Sequence, residues 1–231
     1  MIRAAIFDKD GTLFDFRASW GAWTRSVIAA LCDDDATAQG LAARLGFDLQ
    51  SGGFGHDSIV IAHTTFEIAE VIAQVLNLAD LPALKRQLED LAAAAHMVPA
   101  VDLPAVFGTL RAMGLKIGLA TNDTENPARH HLASAGVLEM FDFVAGCDSG
   151  WGGKPAPGQL LAFAELCGID PSQIAMVGDS AHDMQAGFQA GMVRVGVLTG
   201  IATTSDLLPH SDVVLRDISC LATWINRQNA A

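Results

Sequence analysis

The chain has 231 residues and a mass of 24.2 kDa, which is enough to bury a full core as one domain or as one domain with a smaller insert. Apolar residues make up 51% of the sequence and charged residues 17%, a composition that excludes an intrinsically disordered protein. The formal net charge is −12 and no block of Lys or Arg occurs, which argues against DNA, RNA or an anionic membrane as a partner.

The sequence also lacks the usual signals for export or membrane insertion. Asp8 and Asp10 interrupt the first apolar run, so we expect no signal peptide. No uncharged apolar stretch approaches the roughly 18 residues that a membrane-spanning helix requires. The four cysteines form no C-x-x-C pair, which favours free thiols over a zinc cluster. We therefore expect a cytoplasmic protein, and both a monomer and a homodimer stay open.

The first predicted element is a buried strand over residues 4–7, which stops at two carboxylates and a Gly-Thr turn. In an open α/β sheet, ligands bind outside the carboxyl ends of the strands, where this strand delivers Asp8 and Asp10. The turn at Gly11 lets the Asp8 side chain and the Asp10 backbone carbonyl face one ion, and oxygen ligands of this kind suit Mg²⁺. The alternative is a solvated strand-to-turn junction, because Asp, Gly and Thr are ordinary turn residues.

The region from about residue 16 to residue 98 is predicted to be an all-helical insert. It shows no strand-like alternation, and its apolar residues recur at the i, i+3, i+4 spacing of amphipathic helices. The positions that carry this pattern are Trp20, Trp23, Val27 and Leu31, then Ile68, Val71, Ile72, Val75 and Leu76, then Leu84, Leu88, Leu91 and Ala95. A glycine-rich loop, residues 51–57, separates the two halves.

From Pro99 onward, helices and strands are predicted to alternate. The expected helices are 103–113, 127–135, 157–167, 184–190 and 218–227, and the expected strands are 116–120, 141–145, 174–177, 193–197 and 213–215. Such alternation predicts an α/β fold with a Rossmann-like parallel sheet and helices on both faces. The first strand must join this sheet, since one strand alone is not stable. We therefore predict a core domain of residues 1–15 and 99–231, with residues 16–98 inserted after the first strand and placed over its edge.

The strand at 116–120 runs into Thr121 and Asn122 at the same edge of the sheet. These residues are candidates to bind a phosphoryl oxygen through the Thr121 hydroxyl and nearby backbone N–H groups, because a helix N-terminus is a ready anion site. The alternative is a helix N-cap, for which Thr, Asn and Asp are preferred residues. Both interpretations can hold together.

Lys154 lies between Gly152-Gly153 and Pro155, just before a predicted helix. A positive charge here can neutralise a phosphate and a nucleophilic carboxylate in one site. The alternative is an exposed loop lysine. We favour the functional interpretation because the chain has only four lysines and this one is confined between glycines and proline.

A second acidic strand end follows Met176-Val177-Gly178. Asp179 lies at the strand end and Asp183 four residues later, so both carboxylates can face one ion across a helical turn. The alternative is an N-capped helix with an acidic first turn. That alternative leaves the repetition of the N-terminal pattern unexplained.

Together, these four segments resemble, in order, the four motifs of the haloacid dehalogenase superfamily of phosphohydrolases. The resemblance covers nearly the whole chain, the most similar branch is that of the phosphoglycolate phosphatases, and the helical insert resembles the family's cap domain. It implies that Asp8 is the nucleophile that becomes an aspartyl phosphate. It implies further that Asp10 is the general acid/base and lends its backbone carbonyl to Mg²⁺.

The resemblance also assigns the remaining motif residues. Thr121 and Lys154 would bind the phosphate, and Lys154 would also hold Asp8. Asp179 would bind Mg²⁺ directly, and Asp183 would support the ion without touching it. These roles are chemically consistent, since a carboxylate nucleophile divides hydrolysis into two displacements and Mg²⁺ lets two anions meet.

The role of one motif residue, Lys9, and the roles of the cap residues stay open. Lys9 stands where the family has an apolar or aromatic residue, and it either touches the entering anion or faces solvent. Specificity is expected in the cap, which closes to exclude water. Arg17, Trp20, His56 and the loop 52–55 are candidates to meet the leaving group. Each has an alternative: Arg17 as a surface residue, Trp20 as cap core and His56 as a solvated loop residue.

We therefore predict a Mg²⁺-dependent phosphatase of a small phosphorylated metabolite, such as phosphoglycolate, that works through an aspartyl phosphate. A cation in the site allows an anionic substrate despite the acidic chain. One alternative is a sugar phosphomutase of the same superfamily, and another is a non-catalytic protein that binds a phosphorylated metabolite. Dehalogenation is disfavoured, because dehalogenases of this superfamily lack the acid/base residue that Asp10 matches.

Overall fold

The computed structural model describes residues 1–55 and 58–230 of the chain. Its centre is a six-stranded sheet in which all neighbouring strands are parallel. The strands are β1 (Ala4–Phe7), β2 (Lys116–Ala120), β3 (Phe143–Ala145), β4 (Ile174–Gly178), β5 (Val193–Val197) and β6 (Val213–Leu215). Their order is β3-β2-β1-β4-β5-β6, so the carboxyl ends of β1, β2 and β4 lie side by side. Open α/β sheets bind their ligands at this edge.

The insert after β1 is helical, as its apolar spacing predicts. It contains α1 (Phe16–Leu31), α2 (Asp35–Leu45), α3 (Ile59–Ala62), α4 (Thr65–Leu76) and α5 (Leu81–Ala93). The helices that alternate with the strands are α6 (Leu103–Ala112), α7 (Glu125–Ser134), α8 (Gly158–Cys167), α9 (Ala181–Ala190), the short α10 (Thr204–Leu207) and α11 (Leu221–Ala230). Among the described residues, no helix has both the length and the apolar character that crossing a bilayer requires.

Side-chain caps define where several helices of the insert begin. The carboxylate of Asp15 accepts the backbone N–H of Ala18 at 2.9 Å and so starts α1. Thr64 and Glu67 form a reciprocal capping box at the start of α4. Such caps satisfy backbone N–H groups that lack a partner inside the helix, and each stabilises a helix by roughly 1 kcal/mol.

Two apolar cores cover the two faces of the sheet, because alternate side chains of a strand point to opposite faces. On one face, Ile6 of β1 belongs to a cluster with Phe163 of α8 and Met176 of β4. On the other face, the ring of Phe7 meets that of Phe107 of α6 edge-on at 5.2 Å. This second core continues into the helical insert, which therefore packs on one side of the sheet.

The chain leaves the sheet edge and returns to it at neighbouring points. The backbone N–H of Asp15 donates to the carbonyl of Val98 at 2.8 Å, and that of Ala100 donates to the carbonyl of Leu13 at 2.9 Å. The first and last residues of the helical insert therefore lie next to each other, because the segments 13–15 and 98–100 are hydrogen-bonded. The division into a core of residues 1–15 and 99–231 and a cap of residues 16–98 stays a prediction.

The predicted α/β class is confirmed, and the differences concern the ends of elements and the helices α2, α3 and α10, which the sequence patterns did not outline. The bounds of β1, β2, β5 and β6 match the prediction, whereas β3 starts two residues later, after a 3₁₀ turn. Helix α9 begins at Ala181 instead of residue 184. The reason is a capping box in which Ser180 and Asp183 satisfy each other's backbone N–H groups.

Candidate active site

A cavity lies where the sheet edge meets the helical insert. Asp8 follows β1, Thr121 and Asn122 follow β2, and Asp179 follows β4, and all four line the cavity. Asp10, Lys154 and Asp183 line it as well. The structure therefore brings together the motif residues that the sequence places more than 170 positions apart.

Lys154 is the cation at the centre of this site. Its side-chain amine donates to an Asp8 carboxylate oxygen at 2.5 Å and to an Asp183 oxygen at 2.6 Å, and the residue is 6% exposed. The side chain of Asn122 holds the backbone of Lys154 through two hydrogen bonds. Its amide accepts the Lys154 N–H at 2.7 Å and donates to the Lys154 carbonyl at 2.9 Å. Asn122 thus lines the cavity and also positions the lysine.

The two carboxylates that contact this amine form a buried cluster with a third, that of Asp179. Oxygen atoms of Asp8, Asp179 and Asp183 all lie within 4.8 Å of one another. Burial raises the pKa of Asp8 to about 7, with repulsion from Asp183 and Asp10 adding to the shift and attraction to Lys154 opposing it. Burial and the charges of Asp8 and Asp183 also raise the pKa of Asp179. One lysine does not neutralise three acids, so this oxygen-only cluster fits a hard divalent cation such as Mg²⁺.

Two glycines allow the backbone to approach Asp179 closely. Gly11 has a φ of +83°, and a Cβ there would lie 2.4 Å from an Asp179 carboxylate oxygen. A Cβ on Gly200, in the loop after β5, would lie 1.7 Å from the same carboxylate. Our sequence analysis singled out Gly11 but missed Gly200, whose only signal was its place after a strand of the sheet.

The Asp10 side chain is held from two sides. The indole N–H of Trp20, on α1, donates to one carboxylate oxygen at 2.6 Å, and the Lys9 amine lies 3.2 Å from the other. Trp20 also packs edge-on against Trp23 with ring centroids 4.9 Å apart. Trp20 is therefore a core residue of the insert that also lines the cavity, and its contact with a leaving group stays a prediction.

Lys9 follows neither of the two interpretations that its sequence position allowed. It is fully buried, so it does not face solvent, and it lies behind Asp10 rather than among the lining residues of the cavity. Its amine donates to Asp123 at 2.8 Å and to the Nδ1 atom of His131 at 3.0 Å. The amine also lies 5.1 Å from the ring centroid of Trp20. Asp123 and His131 were not identified from the sequence.

This buried group joins the sheet to the helical insert. His131 Nε2 donates to the carbonyl of Ala92 on α5 at 2.8 Å, so its Nδ1 atom is the acceptor for Lys9. The hydroxyl of Thr65, on α4, donates to Asp123 at 3.2 Å. Together with the Trp20 contact, three helices of the insert reach the polar group around Lys9.

We expect His131 to make folding stability fall at acidic pH. Burial, and next the charge of Lys9, lower its pKa from the ordinary 6.5 to about 4. Between these values the unfolded chain binds more protons at this residue, so stability decreases as the pH falls through that window. Urea unfolding between about pH 7 and pH 5 should show a smaller loss in His131→Gln than in the wild type. Equal losses in the two proteins would contradict this assignment.

The structure confirms neither Arg17 nor His56, the two predicted leaving-group contacts of the insert, as a residue of the cavity. Arg17 is exposed on α1, and the structure does not bring it among the described residues that line the cavity. His56 lies outside the described residues.

Thr121 is buried at the cavity, and its hydroxyl accepts the backbone N–H of Asp123 at 3.1 Å, as an N-cap-like residue does.

Known phosphoglycolate phosphatases are similar in sequence to this chain. The chain is 36% identical over 116 residues to the phosphoglycolate phosphatase of Escherichia coli (strain K12), which covers 50% of this chain and 46% of that protein. The chain thus spans about half the length of the curated relatives that it matches at this level. It is 27% identical over 216 residues to the phosphoglycolate phosphatase of Neisseria meningitidis serogroup A, covering 94% of this chain and 88% of the relative.

A solved structure with a similar fold and a matching family model complete the comparison. The fold is similar to that of beta-phosphoglucomutase from Clostridium difficile, with a TM-score of 0.70, 19% sequence identity, and coverage of 100% of this chain and 98% of that chain. A model of the haloacid dehalogenase-like hydrolases matches residues 2–191, a range that contains all four motif segments. This chain therefore belongs to the haloacid dehalogenase-like hydrolase family.

Proposed function

We propose that this hydrolase is a Mg²⁺-dependent phosphatase that acts on a small phosphorylated metabolite through Asp8. The observation that carries the proposal is the buried pair of Asp8 and Lys154 at 2.5 Å, inside a cavity lined by further carboxylates. A carboxylate held by a fixed cation at a strand end is suited to attack a phosphorus atom. The phosphoglycolate phosphatases among the relatives support a phosphomonoester of a small metabolite as the substrate class.

Three residues carry the chemistry in this proposal. An Asp8 oxygen attacks phosphorus, a bond forms between them, and the bond from phosphorus to the alcohol oxygen breaks. Asp10 donates its proton to that alcohol as it leaves. In the second step Asp10 takes a proton from water, the water oxygen attacks phosphorus, and Asp8 is released with inorganic phosphate. Lys154 holds Asp8 in place and balances the charge of the transferring group.

Mg²⁺ would be held by the carboxylates of Asp8 and Asp179 and by the backbone carbonyl of Asp10, with Asp183 supporting the site through Lys154. When bound, it would neutralise part of the charge on Asp8 and the phosphoryl group. Thr121 and Asn122 lie at the same edge and would bind phosphoryl oxygens. Arg17 and His56 stay predictions for the leaving-group side.

Phosphate release from a panel of phosphorylated metabolites, measured with Mg²⁺ and with EDTA, tests this function. We expect Mg²⁺-dependent release of inorganic phosphate that EDTA abolishes. A phosphomutase of the same fold would instead return an isomerised sugar phosphate. A non-catalytic binding protein would turn over no ester while it still bound Mg²⁺.

Mg²⁺ binding is expected to stabilise the fold. At a concentration about 100 times the dissociation constant, one bound ion adds about 2.7 kcal/mol, which corresponds to roughly 5–10 °C in melting temperature for a chain of this size. The shift should disappear in Asp179→Asn and persist in Asp33→Asn, which alters an exposed carboxylate. An unchanged shift in Asp179→Asn would remove Asp179 from the metal site.

A further inference from the structure

The cavity has two chemically different sides. The side at the sheet edge carries the polar residues that the proposed reaction uses. The side formed by the helical insert is mostly apolar and aromatic, although it also carries His63 and Thr65. Its apolar residues come from α1, α3 and α4: Phe16, Trp20, Trp23, Val60 and Ile68. If phosphorus binds beside Asp8, the alcohol part of the substrate lies against this second side.

The aromatic residues on the insert side are buried and largely apolar, although the indole N–H of Trp23 has no hydrogen-bond partner among the described residues. Phe16, Trp20 and Trp23 are 3%, 6% and 4% exposed. The ring of Phe16 packs against that of Phe54 at 5.1 Å. The only polar atom of Trp20 already donates to Asp10. This surface therefore suits an apolar or flat aromatic group.

The charges around the cavity disfavour a second anion. Among the described residues that line it, Lys154 is the sole lysine or arginine, and it is already paired with Asp8 and Asp183. Arg25 of α1 instead donates to the carbonyl of Leu49 and lies over the ring of Phe47. Two imidazoles, those of His63 and His182, also face the cavity.

The lining carboxylates are those of Asp8, Asp10, Asp123, Asp179 and Asp183; Lys154 pairs with Asp8 and Asp183, and the buried Lys9 pairs with Asp10 and Asp123. A carboxylate on the leaving group would be desolvated against the apolar lining, and both lysines near it are already paired with aspartates. An uncharged leaving group avoids this desolvation penalty. The lining thus favours one class of phosphate ester over another.

We propose that the preferred substrates are phosphomonoesters of uncharged, apolar or aromatic alcohols, and that esters carrying a carboxylate are poor substrates. This inference rests on the proposed phosphatase function and specifies its substrate class. It sets the chain apart from the substrate named for its phosphoglycolate phosphatase relatives.

The test compares benzyl phosphate with 4-carboxybenzyl phosphate and phosphoglycolate, each with Mg²⁺. The two benzyl esters share a leaving-group type and differ in one carboxylate, so the ratio of their kcat/KM values isolates the charge. We expect benzyl phosphate to exceed both anionic esters by about 10-fold or more. Equal or better turnover of the carboxylate esters overturns the substrate inference and leaves the phosphatase proposal standing. Turnover of none of the three, nor of any other phosphate ester, overturns both.

A charge placed on the insert side provides a second measurement. Val60→Lys adds a cation to the apolar lining and is expected to shift the kcat/KM ratio toward 4-carboxybenzyl phosphate by several-fold. Gln74→Lys adds the same charge at an exposed position of α4 and should leave the ratio unchanged. An identical ratio in the wild type and a folded Val60→Lys variant would contradict the charge argument.

Discussion

Asp8→Asn should abolish phosphate ester hydrolysis, with a fall in kcat of roughly 10⁴-fold or more. Asparagine keeps the shape of the side chain but removes the anionic oxygen that would attack phosphorus. Asp8 is buried and its carboxylate contacts Lys154 at 2.5 Å, which holds it at the strand end where the proposed attack on phosphorus takes place. Phosphate release under saturating Mg²⁺ measures the effect.

Asp33→Asn is the matched control, because it makes the same change at an exposed residue outside the cavity. It should keep wild-type turnover. The Asp8→Asn protein must also unfold cooperatively in a thermal scan, which separates lost chemistry from lost folding. Substantial turnover in a folded Asp8→Asn variant would show that another group is the nucleophile.

Lys9→Met should lower the free energy of unfolding by roughly 3–5 kcal/mol, the usual cost of removing one partner from a buried ion pair. Lys9 is fully buried and its amine lies 2.8 Å from Asp123 and 3.2 Å from Asp10. Methionine fills a similar volume, so the loss reflects two carboxylates left without their cation rather than a cavity. Urea unfolding at neutral pH measures the change.

Lys116→Met makes the same substitution at an exposed ion pair. The Lys116 amine lies 2.9 Å from Asp142, which also pairs with Arg111 and so keeps a partner. This variant should change the unfolding free energy by less than about 1 kcal/mol, as exposed pairs do. Similar losses in the two variants would contradict the structural role assigned to Lys9.

Local sequence patterns were sufficient to predict the sheet and the motif loops. Most strands are short apolar runs that end at a glycine or just before a glycine or a polar residue, and parallel pairing gathers those ends at one edge. Asp8, Thr121 and Asp179 could therefore be placed in one cavity before the structure was known. Helix starts were less accurate, because the capping box of Ser180 and Asp183 extends α9 by three residues.

The network around Lys9 was beyond this kind of reasoning. Its partners, Asp123 and His131, are 114 and 122 residues away, and neither position carries a pattern that marks it as buried. Gly200 was missed for a related reason: its requirement for glycine comes from Asp179, with which it shares no local motif. Contacts between distant loops depend on the tertiary packing, which periodicity does not describe.

The paired backbone segments at the base of the helical insert have a consequence for changes in the length of that insert. Because Leu13 and Asp15 bond directly to Ala100 and Val98, the two ends of the inserted sequence are anchored next to each other. Lengthening an insertion whose two ends are held together costs little entropy, since the entropy of loop closure grows only with the logarithm of the loop length. We therefore expect changes in the length of the inserted helices to leave the sheet edge and its motif residues in place.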